Sequence, residues 1–317
     1  MAQVKMGAVL WSQATDWAGF LEAAQRADQL GYDAIWTWDH LYAIFGDPDQ
    51  PIVEGYTALA GLAMGTEHAD LGLLVGANTF RNPGVVAKSV VTIDHMSGGR
   101  AILGLGGAWF GLEHTAFGID FGSGFGERLD WMDEATAAIR SLLDGDTVSS
   151  VPDGRYLFSN LRLNPGPAQR HLPIMIGGSG ERKTLRTVAR YADQWNAFGS
   201  PETLAHKDEV LRRHCEEVGR NHEEIERTVG AKIVIRDTES AAKAVLEELM
   251  EQNRTPMANI ADDDTFWVGT AGEITERLLA YREVGFHTVM VEMPAPYDRE
   301  TMESLIEVVK PAVVSAS

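Results

Sequence analysis

Leu172–Asn196 reads LPIMIGGSGERKTLRTVARYADQWN and compresses a strand, a tight turn and a helix into one short stretch. Pro173–Ile176 is an apolar run with the length of a buried strand. Gly177, Gly178 and Gly180 mark the turn. Leu185, Val188, Ala189 and Ala192 then recur at i, i+3, i+4 and i+7, one face of a helix, while Arg182, Lys183, Arg186 and Arg190 project elsewhere. A strand passing through glycines into an amphipathic helix is the building unit of α/β folds. Its first turn is odd, because Arg182 and Lys183 follow a Ser179 cap at the end of a helix that carries partial positive charge. A bound anion would resolve the conflict, with Ser179 and the amides of Gly180 and Glu181 as its donors. The competing reading is an ordinary tight turn with two solvated basic residues.

The same unit recurs on both sides. Val4–Leu10 reads as a strand and Trp17–Leu30 as a helix with Phe20, Leu21, Ala24 and Ala27 on one face, closed by Gly31. Asp33–Trp38 is a second strand, answered by a helix over Tyr56–Gly65. Leu71–Ala77 is a third, followed by a helix that Asn82 caps and Pro83 begins, running to Met96. Ala101–Gly106 is a fourth; the glycine- and aromatic-rich Gly106–Gly126 is then a long functional loop before a helix over Glu127–Leu143. Thr147–Pro167, centred on VPDGRY, is expected to insert a hairpin ahead of the opening stretch. Downstream, strands at Asp193–Phe198, Thr228–Ile235 and Thr288–Met293 alternate with helices at Pro201–Val218, at Glu239–Glu251, and from the Thr270–Glu273 capping box to Gly285. Gln252–Phe266 reads as a surface excursion and Asp298–Val309 as the last helix. This α/β alternation, without a second compositional regime, predicts a single (β/α)8 TIM-barrel domain over residues 1–317 with inserted loop and hairpin segments. A doubly wound sheet is the competitor, and no GxGxxG sits at the first strand–helix turn to support it.

The totals narrow the partners. Lys and Arg number 27 against 46 Asp and Glu, a formal charge of −19, which argues against nucleic acid and anionic membranes. No apolar run approaches the roughly 18 residues of a spanning helix, and MAQVKMGAVLW reads as a first strand rather than a signal peptide. One cysteine, Cys215, forbids an internal disulfide; a cytoplasmic protein is the expectation.

In a barrel, chemistry gathers at the strand C-termini. Trp11, Trp38, Trp109 and Trp195 fall there, a rim suited to a planar ligand or, on the plainer reading, packing under loops. Asp39 and His40 end the second strand, and alternation sends only one fully into the mouth. The histidine would exchange a proton, with the carboxylate to orient it or meet a ring nitrogen; an Asp at a strand end also serves simply as a turn ligand. Gly106-Gly107-Ala108-Trp109 lets backbone approach a ligand, and Glu113-His114 is a second carboxylate–histidine set. Adjacent residues are poorly spaced metal ligands, so no metal site is expected, and no GxSxG supports nucleophilic hydrolysis. Redox chemistry would require a bound cofactor.

WTWDHL at Trp36, LGLLVGANTFRNPGVVAK at Leu71, SGGRAILGLGGAWFGLEH at Ser97 and the opening stretch together resemble the bacterial luciferase-like flavin and deazaflavin oxidoreductases, most strongly the coenzyme F420-dependent branch. The resemblance implies a TIM barrel with an inserted segment, a deazaflavin or FMN at the strand C-termini, hydride transfer at C5 of that ring, a small-molecule substrate and a homodimer. Position by position it implies that Asp39 faces the cofactor and His40 handles the proton. It also implies that Leu74-Val75 forms a non-proline cis peptide behind the ring. Asn78 and Gly107–Trp109 would contact ring and ribityl chain; Gly177, Gly178, Ser179 and Gly180 would hold phosphate, with Arg186 assisting. The family's sugar-phosphate dehydrogenases carry a glutamate after the first strand and a TGE after the fourth; here those places hold Gln13 and Gly107-Ala108-Trp109, which speaks against glucose 6-phosphate. An F420-dependent oxidoreductase is the leading expectation. The alternatives are an FMN-dependent monooxygenase using reduced flavin and oxygen, and a non-catalytic flavin-binding barrel.

Overall fold

Strand faces alternate between two apolar layers, one inside the closed sheet and one beneath the helices. In the computed structural model, which describes residues 4–261 and 263–316, the strands are β1 (Lys5–Leu10), β2 (Ala34–Thr37), β3 (Asp70–Leu73), β4 (Gly76–Ala77), β5 (Ala101–Gly106), β6 (Ile174–Gly177), β7 (Gln194–Ala197), β8 (Glu226–Ile235), β9 (Phe266–Gly269) and β10 (Thr288–Met293). All their pairings are parallel, in the order β10-β1-β2-β3-β5-β6-β7-β8, and β8 pairs back to β10. This is the expected (β/α)8 TIM barrel. Met6, Ala8 and Leu10 of β1 point outward to the helices, whereas Val9 and Trp11 join Ala34, Trp36, Met175 and Met290 inside.

Helices cover the outside: α1 (Trp17–Leu30), α2 (Gly55–Gly65), α3 (Pro83–Ser97), α4 (Gly111–Phe117), α5 (Phe125–Leu143), α6 (Thr184–Tyr191), α7 (Pro201–Val218), α8 (Glu239–Gln252), α9 (Ala271–Glu283), α10 (Arg299–Ser304) and α11 (Lys310–Ser315). Capping chemistry sets several boundaries as the sequence predicts. Asn82 accepts from Gly84 N ahead of Pro83, Ser200 accepts from Thr203 N ahead of Pro201, and Thr270 and Glu273 form a reciprocal capping box.

Several expectations are corrected. The third strand does not run unbroken over Leu71–Ala77; it divides into β3 and β4 at a cis Leu74–Val75 peptide bond, the position the resemblance implied. Gly106–Gly126 is not all loop, because residues 111–117 form α4, closed by Gly118 in the left-handed conformation. The insert at Thr147–Pro167 makes one antiparallel bridge, Val148 to Leu161, rather than a ladder; Pro152, Pro165 and Pro167 lack the amides to extend it. The excursion after α8 ends in β9, which pairs with the C-terminal half of β8 outside the closed barrel. The last helix continues past Val309 through a π turn at Leu305–Val309, which precedes Pro311 and accommodates the proline's missing amide.

Gly104 on β5 is dictated by close approach: a Cβ there would stand 1.8 Å from the Leu73 carbonyl oxygen. Gly104→Ala is expected to destabilise the protein by about 3 kcal/mol or more, since backbone must move to admit it. Thermal denaturation checks this, and an unchanged midpoint would show that β3 and β5 separate freely.

Candidate active site

The C-terminal mouth of the barrel opens into a cavity of about 350 Å³. Asp39, His40, Leu74 and Val75 line it, as do Gly107, Ala108, Trp109, Gly177 and Gly178. Glycines at the interior positions of β5 and β6 hollow out this side. A Cβ at Gly106 or Gly177 would meet the Val75 side chain at 2.6 or 3.0 Å, so Val75 lies flat across both. Ala108 turns the chain toward α4 at φ +56°, a left-handed conformation uncommon outside glycine.

Strand parity decides between Asp39 and His40. His40 shares its parity with Trp36 and Trp38, which face the interior, and its ring sits edge-on to Trp38 and Trp109 at 6.3 and 5.6 Å. Its Nδ1 lies 3.0 Å from Glu113 Oε1. Glu113 is fully buried in the first turn of α4, where the helix dipole favours a carboxylate, and its Oε2 accepts from Leu41 N at 2.9 Å. The bond to the Glu113 carboxylate occupies Nδ1 and leaves Nε2 as the ring nitrogen free for other partners. Nε2 has no hydrogen-bond partner among the described residues. The carboxylate–histidine set is thus His40 with Glu113, not Glu113 with its neighbour. His114 turns away to Thr79 Oγ1 at 2.6 Å and Phe110 O at 2.8 Å.

Asp39 borders the cavity with both oxygens engaged. Arg81 grips it bidentately at 2.7 and 2.9 Å, and Ala77 N donates at 2.9 Å. Burial pushes the Asp39 carboxyl upward against the pull of Arg81, and the two-pronged geometry is that of an ionised pair. Burial works against the guanidinium too, but hydrogen bonds to Asp39 hold Arg81 above its ordinary value. Glu54 pairs with the same guanidinium, which lies 4.8 Å over the Tyr56 ring.

The glycine turn departs from its expected form. Ser179 is not a helix cap: α6 begins at Thr184, and Lys183 precedes it without a capping bond. Gly178 turns the chain at φ +117°; its carbonyl accepts from Trp195 Nε1 at 2.8 Å and its amide donates to Asn196 O at 2.9 Å. The amides of Ser179, Gly180, Glu181 and Arg182 donate to nothing among the described residues. Lys183 is answered by Asp130 at 2.7 Å, so its place near a helix start does not by itself demand an anion. Arg186, in the first turn of α6, keeps a buried Nε without a partner. Ser179, Gly180 and Arg186 stand outside the cavity lining, and Asn78 is turned to Tyr156 Oη at 3.0 Å.

The tryptophan rim is half realised. Trp38 and Trp109 reach the cavity; Trp11 is buried beneath Phe45, stacked at 4.2 Å, and Trp195 faces the helix layer. Gln13, one of the places where the sugar-phosphate pattern is lost, is a loop staple. Its Oε1 accepts from Ile44 N and Phe45 N at 2.9 and 3.2 Å, and its Nε2 donates to Phe45 O at 3.0 Å. Sequence reading missed Phe45, Asn196, Phe198, Lys232 and Glu292, all lining residues. A lysine and a glutamate at interior positions of apolar strands were the available signal.

A parallel barrel with a hollow at its strand C-termini, walled by aromatics and a positioned histidine, defines a TIM-barrel protein with its cavity at the end where barrels of this kind carry their sites. The chain belongs to the luciferase-like monooxygenase family, whose profile matches residues 3–288. The family's enzymes are oxidoreductases and monooxygenases that depend on F420 or flavin. An uncharacterized protein of Mycobacterium tuberculosis is 29% identical over 189 residues, 55% of this chain and 65% of that one. The FMNH2-dependent dimethylsulfone monooxygenase of Pseudomonas fluorescens is 28% identical over 222 residues, 67% of this chain and 59% of that one. Both matches span less than two thirds of the relative. Among solved structures, an F420-dependent secondary alcohol dehydrogenase in complex with an F420–acetone adduct shares the fold with a TM-score of 0.83, at 20% identity over 98% of this chain and 99% of that one.

Proposed function

We propose that the protein is an oxidoreductase that binds coenzyme F420 at the barrel mouth and transfers a hydride between it and a small organic substrate. The observation that carries this reading is the His40–Glu113 pair, with Nε2 open at the wall of an apolar cavity. The residues fit such a cofactor: Val75 and the glycines of β5 and β6 leave a flat floor, and the unpaired amides of Ser179–Arg182 with the orphaned Arg186 Nε suit a phosphate. When bound, the deazaflavin supplies a two-electron hydride at C5. Glu113 keeps the His40 ring in one orientation, so that Nε2 takes or gives the proton at the substrate oxygen as the hydride is exchanged. Trp38 and Phe45 hold water away from that exchange.

Similarity to the dimethylsulfone monooxygenase supports a second reading, with reduced FMN and oxygen as co-substrates. Deazaflavins do not activate oxygen as flavins do, so an oxygen electrode separates the two. No uptake above the autoxidation of free reduced FMN is expected; uptake coupled to substrate loss would favour the monooxygenase. Ser179→Asp is expected to weaken F420 binding at least tenfold by placing a like charge at the phosphate. Unchanged affinity in a fluorescence titration would remove the glycine turn from the cofactor site.

A further inference from the structure

Two charged side chains in the cavity wall take no part in the His40–Glu113 pair. Lys232 and Glu292 are register partners on β8 and β10, and they are 7% and 6% exposed. They share interior parity with Val234 and Met290, so charge stands where neighbouring positions are apolar. Buried charge is costly unless fully paired, and this pairing is incomplete. Lys232 Nζ is 4.0 Å from Glu292 Oε2 and 3.7 Å from Asp263 Oδ2, beyond a good hydrogen bond, and among the described residues it donates only to Thr265 Oγ1 at 2.8 Å. An ammonium has three donors, so two are uncommitted among the described residues. Glu292 Oε2 accepts from Trp11 Nε1 at 3.2 Å, while Oε1 has no partner among the described residues. The rings of Phe45, Phe198 and Phe266 surround Nζ at 5.6, 5.6 and 4.9 Å.

We propose that Lys232 and Glu292 form a substrate-recognition site for a neutral carboxamide or lactam. The carbonyl oxygen of such a group accepts from Lys232 Nζ, and its N–H donates to Glu292 Oε1. Charge selects this class. Among the described residues the cluster holds one ammonium and two carboxylates, Glu292 and Asp263, so an anionic ligand meets two like charges, and an alkylammonium, which only donates, leaves Lys232 Nζ without an acceptor. A simple ketone satisfies only the lysine. A neutral amide satisfies both partners at once, and the aromatic wall takes its apolar remainder. Phe45 gives that wall a set position, because Gln13 and Gln50 hold its backbone. Calling the ligand a substrate rests on the oxidoreductase reading; its binding does not.

The test is calorimetric titration of the purified full-length chain with acetamide, 2-pyrrolidinone and benzamide, with benzoate and benzylamine as charged counterparts. At least one amide is expected to bind more tightly than either counterpart, and Lys232→Met and Glu292→Gln are each expected to weaken it about tenfold or more. Absence of binding by all three amides, preference for a charged counterpart, or unchanged affinity in the variants overturns the proposal. Should Lys232→Met fail to fold, the isosteric Glu292→Gln decides alone. F420 and FMN titrated into the same preparations keep the two readings apart. Amide binding with no binding of either cofactor removes the oxidoreductase reading and leaves this site, whereas cofactor binding without amide binding removes this site alone.

Discussion

His40→Ala is expected to lower turnover by about 10²–10⁴-fold, the range typical of a positioned proton-transfer group, with cofactor affinity nearly unchanged. The expectation rests on where the ring's two nitrogens point. Nδ1 is spent on Glu113, so the chemistry belongs to Nε2, and truncation removes that atom while leaving the glycine floor and the phosphate turn in place. Steady-state kinetics on any substrate that changes F420 absorbance, beside a binding titration, makes the comparison. Parallel losses in turnover and affinity would show that His40 is a wall of the cavity rather than its proton carrier.

Asp39→Ala is expected to act on stability instead, costing about 3 kcal/mol, because removing one partner of a buried, hydrogen-bonded pair strands the other. Arg81 would retain Glu54 and the Tyr56 ring but lose both hydrogen bonds to Asp39, and Ala77 N would lose its acceptor. Asp39→Asn should recover part of that loss, since an amide oxygen still accepts one bond. Chemical denaturation reads the difference. If Asp39→Ala instead abolishes cofactor binding at undiminished stability, Asp39 meets the cofactor directly, the role the family resemblance suggested.

The contrast between these neighbours shows what the sequence conveyed and what it withheld. Period and capping residues were enough for the barrel: Ser200-Pro201, Asn82-Pro83 and the Thr270–Glu273 box mark helix starts through local hydrogen bonds that need no tertiary partner. Alternation likewise shows that only one of Asp39 and His40 points fully into the mouth, and continuing the count from Trp36 picks His40, with Asp39 at the border. The partners are another matter. Glu113 is 73 positions from His40 in sequence and Arg81 is 42 from Asp39, and no local rule links residues so far apart. Ser179 misleads because a serine that follows glycines and precedes an amphipathic face looks like a cap, whereas the Gly178 turn delays the helix to Thr184. Lys232 and Glu292 were overlooked because each lies in an apolar run that reads simply as buried strand.

On the function proposed above, the barrel mouth holds a deazaflavin in preference to FMN. Fluorescence titration of the purified chain with F420 and, separately, with FMN tests it most directly. Saturable binding of F420, tighter than that of FMN and weakened by Ser179→Asp, is the expected result; saturable binding of FMN with none of F420 would contradict it.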